Sequence, residues 1–108
     1  MSIINENLRI QKYHLLECVG EQDIVLPFGA RTLSVLEEGN RIVLYARVDI
    51  TESRVEPHKI RIYEVDQPAM YCAGDEYVFE QFIGTVKIKG VFNDMRIWHI
   101  FEATDLPF

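Results

Sequence analysis

Cysteine is scarce in this 108-residue chain, with two residues, Cys18 and Cys72, set far apart and outside any C-x-x-C spacing. That argues against the disulfide framework of a small secreted scaffold and the paired thiolates of a structural zinc site. Long apolar runs are missing as well; none approaches the roughly 18 to 20 residues of a membrane span. The opening Met1–Glu6 stretch lacks the charged leader, apolar core and small-residue cleavage site of a secretory signal. No Asn-x-Ser/Thr acceptor occurs either. Together these absences predict a cytoplasmic, reduced protein whose thiols serve as small, half-buried hydrophobes. Positive charge is in deficit, with eleven Lys and Arg against seventeen Asp and Glu, a net −6. Such a balance cannot neutralise a phosphate backbone, which excludes generic duplex-DNA binding.

Catalytic and cofactor motifs are equally sparse. The six glycines form neither G-x-G-x-x-G nor G-x-x-x-x-G-K-[ST], so no phosphate-cradling loop is present. A G-x-S-x-G elbow is absent, and Ser34 sits in a plain Leu-Ser-Val strand context. His14, His58 and His99 lie on separate segments without H-E-x-x-H spacing, so neither metal nor cofactor is expected. Carboxylates abound, yet no pair stands at a spacing that implies acid–base work. The residues point to a protein that is not an enzyme.

What is present is a globular composition, 48% hydrophobic and 26% charged, in which short β-type runs rich in Ile, Val, Tyr and Phe alternate with turn residues. Strands are predicted at Arg9–Leu15, Asp23–Leu26, Arg31–Glu38, Arg41–Asp49, Lys59–Val65, Phe79–Lys89 and Met95–Glu102. One short helical turn is expected around Pro68–Cys72. The reading is one all-β domain over residues 1–108, with 1–8 and 103–108 as peripheral tails. Its architecture is an antiparallel β-sandwich or partly open barrel of about six to eight strands. Thr51–His58 and Gln67–Glu76 are the longer loops, where binding usually resides.

Two hairpins can be drawn face by face. Gly39-Asn40 suits a two-residue type II′ turn, which pairs Glu38 with Arg41, Val35 with Leu44 and Leu33 with Ala46. One face then carries Leu33, Val35, Ile42, Leu44, Ala46 and Val48. The other carries Thr32, Ser34, Leu36, Val43, Tyr45 and Arg47. A second turn at Asn93-Asp94 sets Phe92 against Met95, Lys89 against Trp98 and Lys87 against Ile100. That register gathers Val86, Ile88, Phe92, Met95, Ile97, His99 and Phe101 on a core face. Lys87, Lys89, Arg96 and Trp98 fall on the opposite one. Gly90 marks a bulge that would shift this pairing.

An indole flanked by Lys87, Lys89 and Arg96 suits a planar anionic ligand, the ring stacking on a base while the cations take phosphate oxygens. Trp98 covering a neighbouring sheet, with lysine stems over its ring, is the alternative. Arg54, His58, Lys59 and Arg61 form a second basic cluster, and the faces of Tyr45 and Trp98 could instead form a subunit contact. The candidate binding residues are therefore Trp98, Lys87, Lys89, Arg96, Tyr45, Arg47, His58 and Arg61.

Several blocks carry a resemblance. Lys12-Tyr13, Gln22-Asp23-Ile24-Val25-Leu26-Pro27, Gly29-Ala30, Leu33-Ser34-Val35 and Leu44-Tyr45-Ala46-Arg47-Val48-Asp49 are joined by Phe82-Ile83-Gly84-Thr85-Val86 and Trp98-His99-Ile100-Phe101-Glu102. Spanning roughly Ile10 to Glu102, they resemble a small uncharacterised family of phage and prophage proteins. The resemblance implies a compact all-β domain without a catalytic motif, in which Thr51 to Ala73 is a longer insert. It suggests a non-enzymatic phage accessory protein in the host cytoplasm, a counter-defence factor that binds a host protein or holds an anionic nucleotide signal. A structural role through homo-oligomer contacts is the second reading. A small hydrolase using His58 or His99 is the third.

Overall fold

Alternating Ile, Val and Leu give most of the strands an apolar face, and two sheets close over a shared core. The computed structural model describes residues 6–65 and 78–105. Its strands are β1 (Leu8–His14), β2 (Gly20–Pro27), β3 (Arg31–Glu38), β4 (Arg41–Asp49), β5 (Val55–Glu64), β6 (Val78–Lys89) and β7 (Met95–Asp105). One sheet has the order β1-β4-β3 and the other β2-β5-β7-β6, with every pairing antiparallel. The all-β sandwich expected from the sequence is thus the observed architecture, with no helix among the described residues. The helical turn expected at Pro68–Cys72 lies outside them, as does Cys72.

Leu44, Ala46 and Val48 from one sheet meet Ile60, Ile62, Val86, Ile88, Trp98 and Ile100 from the other in the buried core. At the seam where β3 approaches β6, a Cβ on Gly84 would lie 2.8 Å from Val35 Cγ2, so only glycine allows this separation. The β6 ladder shifts beside it, between Phe82 and Gly84. At the other edges β1 and β2 belong to different sheets, and Gln22 of β2 exchanges two hydrogen bonds with the Leu16 backbone just after β1.

The first hairpin keeps its predicted ends, Glu38 against Arg41 and Val35 against Leu44. Gly39 and Asn40 both have φ of 61°, which makes the turn type I′ instead of II′. A bulge at Leu33 then moves Thr32 opposite Ala46 and leaves Leu33 exposed. Val43, expected on the mixed surface, is buried in the central strand between His14 and Leu36.

Two boundaries differ instructively. β5 begins at Val55, so the expected Thr51–His58 loop ends at Arg54 and its second half is strand. Pro57 hid this: it pairs with Val25 of β2, but the β7 ladder starts only at Lys59, so its missing N–H breaks no bond on that side. At the other terminus β7 runs on to Asp105, and Ala103, expected in a tail, is buried. Cys18 is exposed, not half-buried. No helix among the described residues is long and apolar enough to cross a membrane.

Candidate functional site

The second hairpin is where the sequence and the structure part most sharply. Its loop is Gly90–Asp94, closed by Gly90 N–H donating to Asp94 O at 2.7 Å and Asn93 N–H to Gly90 O at 3.0 Å. Asn93 takes the left-handed φ of 68° that such a loop requires. Lys89, not Phe92, therefore faces Met95, and Val86 faces Trp98. The slip from the expected register is odd, so it turns one strand's faces over relative to the other.

Trp98 consequently lies inside, 6% exposed among Val86, Ile88 and Ile100. Its Nε1 has no hydrogen-bond partner among the described residues, so packing alone holds the ring. Lys87 and Lys89 alternate with buried Val86 and Ile88 and point the other way, lining a shallow cavity of about 470 Å³ with Glu37, Asn40 and Met95. Arg96 is held by Glu64 at 3.1 Å and Asp94 at 3.2 Å. The expected cationic face around an exposed tryptophan is not assembled. His99, expected in the core, instead meets the Thr85 hydroxyl at 2.8 Å.

The remaining candidates are dispersed. Tyr45 donates its hydroxyl to Glu38, which also pairs with Lys12, and this network holds the Glu38 carboxyl below its usual range. Arg47 lies exposed on the same sheet, opposite Ile10 and Arg31. Arg61 is buried, with Nε 3.0 Å from Glu21 and Nη1 3.5 Å from Glu80. Tyr63 donates to the same Glu80 at 2.8 Å. Arg61 is thus a structural cation held between two carboxylates rather than part of an open basic cluster.

Two other places emerge, one at each end of the sandwich. At the first, the β6–β7 loop carries Val91 and Phe92 at 96% and 90% exposure, with Met95 exposed beside them. The loop is held rigidly from below. Asn40 donates through Nδ2 to Lys89 O at 3.1 Å and accepts the Lys89 N–H at 2.7 Å, imitating a ladder pair between the sheets. A Cβ at Gly90 would lie 2.5 Å from Asp94 Oδ1, so a larger residue there would push the exposed Asp94 side chain aside.

At the opposite end, β5 and β7 bring together residues that the sequence left in separate groups. His58 Nδ1 lies 2.5 Å from Glu102 Oε1, while its Nε2 lies 3.3 Å from Glu56 Oε1. Glu102 also accepts from the Thr32 hydroxyl of β3 at 3.2 Å, across the two sheets. Glu56 accepts the Gly29 N–H of the β2–β3 turn at 3.1 Å. The hydrogen bond to Glu102 raises the His58 pKa above the usual histidine range, against the burial that lowers it. A carboxylate near each nitrogen favours the imidazolium, which donates from Nδ1 to Glu102, while the buried Nε2 makes no hydrogen bond among the described residues. Glu56, His58 and Glu102 line a cavity of about 580 Å³ with Asp23, Pro57, Lys59, Ala103 and Thr104. Among the described residues, no group of three or more His, Cys, Asp and Glu is arranged to hold a metal ion.

A family model described as a domain of unknown function, DUF7352, matches residues 6–107, so the chain belongs to that family. No curated protein and no solved structure matches it.

Proposed function

Since membership of a family without an assigned function leaves the question to geometry, we propose that the protein works by binding another protein through the β6–β7 tip. One observation carries this reading: Val91 and Phe92 stand almost fully in water on a loop whose backbone is pinned. Two large apolar side chains on a rigid tip gain about 1.5 to 3 kcal/mol each when a partner covers them. A pinned loop also loses little conformational freedom on docking. Lys87, Lys89 and Met95 lie just behind the tip, so the fitting partner offers an apolar cleft with an acidic rim.

Binding to a protein is favoured over capture of a nucleotide signal because buried Trp98 offers no stacking face. It is favoured over hydrolysis because His58 has carboxylates at both ring nitrogens. The phage-type, counter-defence role in a host cytoplasm rests on the sequence resemblance, and the target is then a host protein. A photo-crosslinking residue at position 92, introduced in cells, tests the reading, with position 53 as an exposed control. A heterologous adduct at 92 that is absent at 53 supports it. Crosslinking only to a second copy favours the oligomer reading, and equal labelling at both positions overturns the tip as a site.

A further inference from the structure

The cluster around His58 plays no part in the proposed binding tip, yet it joins four segments through one titratable ring. We infer that His58 is a proton-operated latch that ties the β2–β3 turn and β3 to the β5–β7 end of the second sheet. In the closed state the imidazolium donates from Nδ1 to Glu102 and faces Glu56 with Nε2. Glu102 reaches Thr32 on β3, and Glu56 holds the Gly29 amide. When the ring gives its proton to solvent, one N–H remains for two carboxylates. One of them then confronts a nitrogen lone pair within a half-buried site, an unfavourable contact that drives it outward. Departure of Glu56 frees the turn at Gly29, and departure of Glu102 frees β3 at Thr32; either opens the cavity.

The charged groups facing the ring fix the direction. Glu102 comes from β7 and Glu56 from its own strand, while Asp23 of β2 and Lys59 of β5 stand at the cavity wall and β3 supplies only the neutral Thr32. Lys59 is itself drawn 3.8 Å from Glu21. Carboxylates outnumber cations around the ring, so the closed state belongs to the lower pH. Because the His58 pKa is raised on folding, its stabilisation is complete below the unfolded value of about 6.5 and fades as pH rises through the folded value.

The test is a pH series of the whole chain, followed by the His58 ring signals in NMR and by thermal unfolding, beside His58→Gln and Glu102→Gln. A ring midpoint above about 6.5 is expected. The wild-type melting temperature should then fall by roughly 4 °C or more, relative to both variants, between pH 6 and 9. A ring midpoint at or below about 6.5 overturns the latch without recourse to any variant. So does a wild-type melting curve that runs parallel to both variants across the series.

Discussion

The two ends of this sandwich are both fastened across the sheets, but by opposite chemistry. At one, the neutral Asn40 side chain pairs with the Lys89 backbone and leaves Val91 and Phe92 in solvent. At the other, His58, Glu56 and Glu102 make a half-buried ionic clasp whose groups face inward. An amide clamp has no titration near neutrality and gives a tip that is the same at every physiological pH. A clasp built on imidazole holds both carboxylates only while the ring is charged. Rigidity for binding and sensitivity to protons can thus be assigned to separate ends of one small core.

The comparison can be broken first at what both ends share. Trp98→Ala empties the core between them and should cost about 3 to 5 kcal/mol in urea unfolding; a loss below about 1 kcal/mol would return the ring to a surface role. Asn40→Ala removes two hydrogen bonds and puts Ala, which tolerates the left-handed region less well than Asn, at φ 61°, with an expected loss of about 1 to 3 kcal/mol. That loss should be equal at pH 6 and pH 9, and a pH-dependent one would erase the distinction between the ends. Glu102→Gln should cost about 1 to 3 kcal/mol at pH 6, because a buried charge loses its partner. The same substitution should cost progressively less as pH rises through the His58 midpoint, read from denaturant titrations across the range. Smallest in stability is Phe92→Asp, expected within about 0.5 kcal/mol of wild type. It should nevertheless weaken association with the partner crosslinked at position 92 by tenfold or more, measured by titration calorimetry.

Much of the scaffold was legible in local pattern, and the two ends were not. Gly39-Asn40 between alternating runs pins β3 and β4 to within their observed ends, because turn and hydrophobic period agree there. At Asn93-Asp94 they disagree: a two-residue turn there pairs the apolar Phe92 with Met95, although β6 ends at Lys89 and both Val91 and Phe92 belong to the loop. An apolar tip imitates a strand end, and the resulting slip carried Trp98 to the wrong face. Gly90 was the one local signal of the disturbance. Pro57 similarly concealed the start of β5 and with it the inward place of His58. The partners of His58 and Arg61, Glu102 and Glu21, lie 44 and 40 residues away. No spacing rule reaches that far; only the strand order β2-β5-β7 brings them together.

The most direct measurement follows two backbone amides in one sample across a pH titration. The Gly29 N–H is bonded to Glu56 and the Lys89 N–H to Asn40. The Gly29 amide proton should shift with the same midpoint as the His58 ring, while the Lys89 amide stays in place. Movement of both amides together, or a Gly29 signal indifferent to His58, would contradict the assignment of separate tasks to the two ends.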